Sequence, residues 1–297
     1  LQAGFKPVFA DINPRHLGMD TKQIISKLNK NTKAVLLTHV QGFNALTDLL
    51  LDELKKREIL LIEDVCESHG ATHCGQKLGT YGWTSNFSFY YAHHMSTIEG
   101  GMLCTNDPDL YQTFRMLRSH GMVRESTSND LINSYNKKYS DLNPDFIFAF
   151  PAYNVRNTEI GAIIGRSQLP RLDTNNRLRN RNKQIFLENL DTTKYRTDFR
   201  VEGSSNYAFN LVLQRADLDF TDRLMQRMRV ENIEFRRGRA GGGNQLRQPY
   251  LREIFGDIYQ NYPHVDHIHF HGFYIGNFPS LEPQKIVQLC KILNSVD

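Results

Sequence analysis

Two adjacent histidines, His93 and His94, end the apolar run SFYYAHH that begins at Ser88. An imidazole titrates near neutral pH and can move protons. Paired histidines at the end of a strand serve structure as readily as catalysis, so the residues alone leave both roles open. Upstream, Glu63 and Asp64 end a second apolar run, ILLIE, and lead into CESHGA. A carboxylate at the mouth of a sheet is desolvated and needs a partner. A helix cap or a loop ion pair meets that need. So does the cationic ring nitrogen of a bound cofactor.

Pyridoxal enzymes place a lysine at a strand end, near a Ser or Thr that holds the cofactor phosphate. Ser88 is available for the second task, but no lysine stands where the first would require it. Farther along, YNVRNTEIGAIIG sets Asn154 and Arg156 ahead of Thr158, a helix N-cap; read locally, this is capping beside a solvated face. The stretch RRGRAGGGNQLRQPY interleaves Arg239, Asn244 and Arg247 with glycines. Guanidinium forks and backbone N–H groups in such a loop can clasp a diphosphate, and a merely basic loop is the rival reading. It is not a G-x-G-x-x-G opening a helix, which excludes a dinucleotide fingerprint. His267, His269 and His271 alternate, which on a strand puts them on one face. No acid or cysteine completes a zinc set there, so no metal site is expected. The basic run RLRNRNK (Arg177–Lys183) reads as a solvated helix face.

The elements that would carry these residues alternate. Strands are expected at Pro7–Ile12, Ala34–Thr38, Ile59–Glu63, Asn86–Tyr91 and Met102–Thr105. Helices are expected at Thr21–Leu28, Leu46–Glu58 and Pro108–His120, where Leu110, Phe114 and Leu117 share a face. Short apolar strands between amphipathic helices imply a mostly parallel sheet covered on both faces, with ligands at the carboxyl ends of its strands. Asp64 and His93 both fall at such ends. Residues 126–150 are polar and read as a long loop or lid. A helix starts near Thr158 and continues through Arg177–Leu190. Then come a strand at YAFNLVLQ, a helix at Thr221–Glu231, a strand at HIHFHGFYIGNF and a helix at Pro283–Leu293. The fold class is thus α/β, with a large domain at 1–195 and a smaller α+β domain at 196–297.

The 297 residues suffice for about two domains. With 40% hydrophobic and 23% charged residues the chain can bury a core. A net charge of +4 falls short of a nucleic-acid-binding signature, and is compatible with an anionic substrate. Four scattered cysteines without a C-x-x-C pair read as reduced thiols of a cytoplasmic protein. No run of about 18 apolar residues suggests a membrane span. LQAGFKP reads as the last turn of a helix capped by Gly4, so residues upstream of Leu1 are expected to be missing.

In order, PVFADI, IEDVCESHGA, FSFYYAHHMSTIEGGMLCTND, LRSHGM and YNVRNTEIGAIIGRSQL resemble the DegT/DnrJ/EryC1/StrS family of sugar aminotransferases over nearly the whole chain. The resemblance implies the aspartate-aminotransferase fold (fold type I pyridoxal enzymes) and a homodimer with active sites at the interface. Asp64 matches the carboxylate that pairs with the pyridinium nitrogen. Ser88 matches the phosphate-binding serine, and Asn154 an asparagine that reaches the phosphate of the neighbouring subunit's cofactor. Glu67 stands where the family often has Gln beside the cofactor.

His93 falls on the Schiff-base lysine. An imidazole is not a primary amine, so pyridoxal 5′-phosphate or pyridoxamine 5′-phosphate would be held non-covalently. A branch of the family, the 3-dehydratases of nucleotide-linked 4-keto-6-deoxy sugars, is similar in this respect, with strings like FYPAHHITMGEGG and GNLTRQPY. There pyridoxamine phosphate condenses with the C4 ketone, the histidine takes a proton from C4′ of the cofactor, and the C3 hydroxyl leaves. By resemblance His93 is the base and Asp64 stabilises the ring. The clustered cysteines of an iron–sulfur subgroup are absent, which favours recycling by glutamate. Tyr91 replaces that branch's Pro, and Ser96–Ile98 replaces its TMG. The expected role is C3 dehydration of a nucleotide sugar in lipopolysaccharide or polysaccharide synthesis, with no nucleic-acid or membrane partner. A sugar aminotransferase and an inactive cofactor- or sugar-binding homologue are the alternatives.

Overall fold

The computed structural model describes residues 1–238 and 242–297. The chain runs α1 (Thr21–Lys27), β1 (Ala34–Thr38), α2 (Asp48–Lys56), β2 (Leu60–Asp64), a short hairpin β3 (Thr72–His73) and β4 (Gln76–Lys77), β5 (Thr84–Ser88), β6 (Gly101–Thr105), α3 (Pro108–Leu117), α4 (Asn129–Lys138), α5 (Glu159–Gln168) and α6 (Leu172–Asn189). It continues with β7 (Ala208–Val212), α7 (Leu218–Val230), β8 (Phe235–Arg237), α8 (Pro249–Phe255), α9 (Pro263–His271), β9 (Gly272–Gly276) and α10 (Pro283–Asn294).

The first sheet has the order β1-β2-β5-β6. β1, β2 and β5 are parallel, and β6 returns antiparallel to β5. That reversal matters for the site. The connection from Phe89 to Gly100 leaves β5 at its carboxyl end and must re-enter β6 there, so the two histidines lie over the carboxyl edge of the sheet. Register also puts Thr38 beside Asp64 and Asp64 beside Asn86. Val35, Leu37 and Leu61 bury one face under Ile24 of α1 and Leu50 and Leu54 of α2. On the opposite face Leu36, Leu60 and Leu103 are exposed, so the described residues cover one face of the sheet and not both.

The second sheet, β7-β9-β8, is antiparallel throughout. Its core joins Phe209, Leu211, Phe273 and Ile275 to Leu224 and Met228 of α7, Ile286 and Cys290 of α10, and Phe186 of α6. A third cluster, with Phe43, Phe199, Val212 and Ile268, packs the two halves together.

Four expected elements differ. Pro7–Ile12 is not a strand; only an isolated bridge pairs Ile12 with Met19. Asp11 accepts instead from the backbone N–H groups of His264 and Val265 at 3.0 Å, filling the open donors at the start of α9. His267–Phe278 is not one strand, because α9 runs to His271 before β9 begins. The buried Val265, Ile268 and His271 recur at helical, not strand, spacing. Residues 126–150 hold α4, capped by Ser128, whose Leu131, Ile132 and Tyr135 pack on Met116 and Ile147. Finally, the basic run of α6 is not a solvated face: Arg179, Asn182 and Lys183 are buried.

Candidate active site

The carboxyl ends of β2 and β5 set the first groups. Asp64 Oδ1 accepts from Asn86 Nδ2 at 3.0 Å and from the Cys66 backbone N–H at 3.1 Å. Thr38 Oγ1 lies 3.4 Å from Oδ2. One oxygen is thus pinned and the other only loosely held, a carboxylate oriented for a further donor. The Cys66 thiol is pushed up to about 12, first by burial and then by Asp64; it stays protonated and unreactive.

His93 follows from the fold of its loop. Its backbone N–H donates to Tyr90 O at 3.0 Å, Thr97 N–H to Phe89 O at 2.9 Å, and Phe89 N–H to Gly100 O at 2.9 Å. The ring is thereby turned so that Nδ1 lies 3.3 Å from Ser88 O. A carbonyl oxygen only accepts, so Nδ1 carries the proton and Nε2 keeps a free lone pair. Burial holds this imidazole below its usual pKa; the Ser88 carbonyl and Asp64 pull the other way without restoring it. The ring is therefore neutral at pH 7, with its basic nitrogen unprotonated. Ser88 Oγ lies 3.3 Å from the Tyr90 N–H.

Glu67 enters from the turn after β2, where Oε2 accepts from the Gln41 N–H at 2.9 Å. Burial, then the charge of Glu67, raises the phenols of Tyr207 and Tyr274. The Tyr207 ring lies 5.8 Å from the rings of both His93 and His94. Asp64, Glu67, Ser88 and His93 are brought into one neighbourhood. His94 turns inward: it is buried, and its Nε2 donates to Ser205 O at 3.2 Å. His69, from CESHGA, packs edge-on to Phe87 and Phe89 and stacks on His94. Burial, then His93, pushes it down to about 4.

The remaining expected residues lie elsewhere. Asn154 bridges to Ser119 and accepts from Arg156 Nε at 2.9 Å, on an exposed stretch with Tyr153, Val155, Ile160 and Ile163. Asn244 Nδ2 donates to Asp266 Oδ1 at 2.7 Å, and Arg247 grips both oxygens of Asp266 at 2.8 and 2.6 Å. Among the described residues, no hydrogen bond or ring contact joins Asn154, Asn244 or Arg247 to the Asp64–His93 group. The side chains of Asn244 and Arg247 are engaged with Asp266 rather than open to an anion. Arg239 lies outside the described residues.

Asn86, Tyr207 and His69 escaped the sequence reading. Asn86 had a signal, since it stands two residues before Ser88 and so on the same face of β5. Tyr207 had none, because it arrives from the second half of the chain.

The alternating histidines form no metal set. His264, His267, His269 and His271 face four different partners: Ile12 O, Leu213 O, Gly242 O and Thr221 Oγ1. Asp48, His73 and Cys74 do converge, with ligand atoms within 4.8 Å of one another. Asn44 argues against an ion there. Its Oδ1 accepts from Leu46 N–H at 2.8 Å, so its amide nitrogen, 3.0 Å from His73 Nδ1, must donate. The His73 proton then sits on Nε2, which donates to Asp48 at 2.8 Å and has no lone pair for a metal.

The donor set fits a protonated heteroaromatic ring: Asp64 for the ring nitrogen, Ser88 Oγ for an anionic arm, and a neutral base beside them. The model of the DegT/DnrJ/EryC1/StrS aminotransferase family matches residues 1–294. GDP-4-keto-6-deoxy-D-mannose 3-dehydratase of Yersinia pseudotuberculosis is 30% identical over 298 residues, covering 98% of this chain and 74% of its own. The solved Escherichia coli GDP-4-keto-6-deoxy-D-mannose-3-dehydratase with bound hydrated PLP superposes with a TM-score of 0.84 at 27% identity, over 96% of this chain and 73% of that one. A GDP-4-keto-6-deoxymannose-3-dehydratase with a trapped PLP–glutamate geminal diamine superposes at 0.82 and 26% identity, over 96% and 74%.

Proposed function

The chain belongs to the DegT/DnrJ/EryC1/StrS aminotransferase family, and within it we propose that the protein removes the C3 hydroxyl of a nucleotide-linked 4-keto-6-deoxy sugar. The carrying observation is His93. A base with its lone pair free at pH 7 stands beside Asp64 and Ser88, in a site with no amine at that position to bind a cofactor covalently.

Pyridoxamine 5′-phosphate, when bound, supplies an amine for the sugar ketone and a ring that accepts electrons. Asp64 would keep a proton on the ring nitrogen, its carboxylate aimed by Asn86 and the Cys66 N–H. Ser88 Oγ would donate to the phosphate, with Glu67 as a further cofactor-binding side chain. His93 Nε2 takes a proton and, once charged, returns it to a departing hydroxyl oxygen. The Ser88 carbonyl holds the imidazole in the one tautomer that permits this.

Glutamate is the amino donor in this reading, supported by the PLP–glutamate adduct of the similar dehydratase. The active unit is a homodimer, with the exposed Tyr153, Val155 and Ile160 at its interface and Asn154 reaching the partner's cofactor. The large domain is 1–195 and the small one 196–297. The product serves lipopolysaccharide or polysaccharide synthesis.

Incubation with pyridoxal phosphate, glutamate and a panel of nucleotide-linked 4-keto-6-deoxy sugars tests the reading by mass spectrometry. Loss of the C3 oxygen is the expected result. An amine in place of the C4 oxygen would make the protein a sugar aminotransferase, the second reading, which the family's own name favours. Absence of any product would sink both.

A further inference from the structure

Behind Glu67 runs a single hydrogen-bonded file that starts in the second half of the chain. Lys183 of α6 is 1% exposed. Its Nζ donates to Asn210 Oδ1 at 2.7 Å and lies 3.4 Å from Ala208 O. The rings of Phe43, Phe186 and Phe199 surround it at 5.1 to 5.9 Å. Asn210 Nδ2 donates to Gln41 Oε1, and the Gln41 N–H donates to Glu67 Oε2 at 2.9 Å.

The order of donors in this file is forced. As an ammonium Lys183 only donates, so Asn210 must offer it oxygen, which turns the Asn210 amide nitrogen toward Gln41 and requires oxygen there in turn. Gln41 is also held in the left-handed region at φ 52, a conformation that is uncommon and costly for a residue other than glycine. The constraint is visible. Tyr207 N–H donates to Gln41 O at 3.1 Å and Ser205 N–H to Gly42 O at 2.8 Å. Gly42, at φ 91, approaches so closely that a Cβ would stand 2.5 Å from Asn206 N.

A buried amine is destabilising where a methionine of similar length would pack. What this one does is order two amides and, through them, a strained turn whose N–H grips the pocket carboxylate. We propose that Lys183, Asn210 and Gln41 are positioning residues that hold Glu67 in the cofactor pocket and tie its placement to the seating of the second sheet. The proposal rests on the reading of Glu67 as a cofactor-binding residue.

A double-mutant cycle tests it, using Lys183→Met, Glu67→Gln and the pair, with pyridoxal 5′-phosphate binding followed by absorbance. Loss of one hydrogen bond to a charged group predicts about tenfold weaker binding for Lys183→Met. In the Glu67→Gln background the same change should have no further effect, because the file then has no carboxylate to place. Unchanged affinity in Lys183→Met, or effects that simply multiply, would overturn the proposal. If Lys183→Met does not fold, Asn210→Leu interrupts the file at its next link and takes its place in the cycle.

A wild-type protein that binds no pyridoxal phosphate would sink the cofactor reading instead. The file is then judged by Glu67 itself, through the 13C titration of its side-chain carboxyl, assigned by its loss in Glu67→Gln. Lys183→Met should move that midpoint upward, and an unmoved midpoint would overturn the file as well.

Discussion

Lys183→Met should make the protein more stable at pH 7 and less stable near pH 10. Burial holds the Lys183 amine at about 7 in the folded chain, against 10.5 when unfolded. Between those values the unfolded chain binds the extra proton, so this site's contribution to stability rises with pH across the window from 7 to 10.5. The gap of about 3.5 units corresponds to about 5 kcal/mol of penalty at the low end. One effect opposes the gain on removal: Asn210 Oδ1 loses its donor while buried, at roughly 1–3 kcal/mol. The phenyl faces act on the charged form and are already contained in its depressed pKa. About 4 kcal/mol of the penalty is present at pH 7, so the net gain there is about 1–3 kcal/mol. Near pH 10 the penalty has almost vanished in the wild type while the orphaned amide remains, so the sign reverses. Urea unfolding of both proteins at pH 7, 8, 9 and 10 measures the difference, with equal m-values confirming that like states are compared. A stability difference that does not change with pH would refute the argument, since a pure packing effect has no reason to follow the titration of an amine.

Replacing His93 by Lys should let pyridoxal phosphate attach covalently, seen as a visible absorbance band that borohydride fixes to the protein; a cofactor that binds but stays removable by dialysis would contradict the position given to His93. His93→Ala should lower turnover by about 10²–10⁴-fold with little change in Tm, in line with loss of a general base, and an equal fall in both would mean a structural role. His16 and His69 are held near 4, by burial first, against 6.5 unfolded; each therefore contributes stability that is complete above pH 6.5 and lost as pH falls toward 4, about 3 kcal/mol apiece. His69→Phe should flatten that acid limb in urea titrations, and parallel curves would count against it. Asp266→Ala strands Arg247 and Asn244 together and should cost about 1–3 kcal/mol, read from the thermal midpoint.

What could be read in advance was whatever a local pattern encodes. Asp64 follows the continuous apolar run ILLIE and so falls at the carboxyl end of a strand, while Ser88 and His93 are assigned by their match to the strings of a family. Three of the four failures share a physical cause, because each concerned a polar residue whose partner is remote in sequence. Period-two histidines looked like a strand because the carboxylate that starts α9, Asp11, stands about 250 residues away. RLRNRNK looked solvated because charge normally faces water. Lys183 is instead satisfied by Asn210, 27 residues on, and Asn210 by Gln41, 169 residues back. Such burial is not a failure of the solvation rule but its converse. A charge taken out of water must be met by oriented dipoles, and those dipoles then transmit orientation to whatever lies at their far end. Here the far end is Glu67. A reader of sequence sees a basic helix and an acidic turn as unrelated features, yet the cost of burying the first is what fixes the geometry of the second.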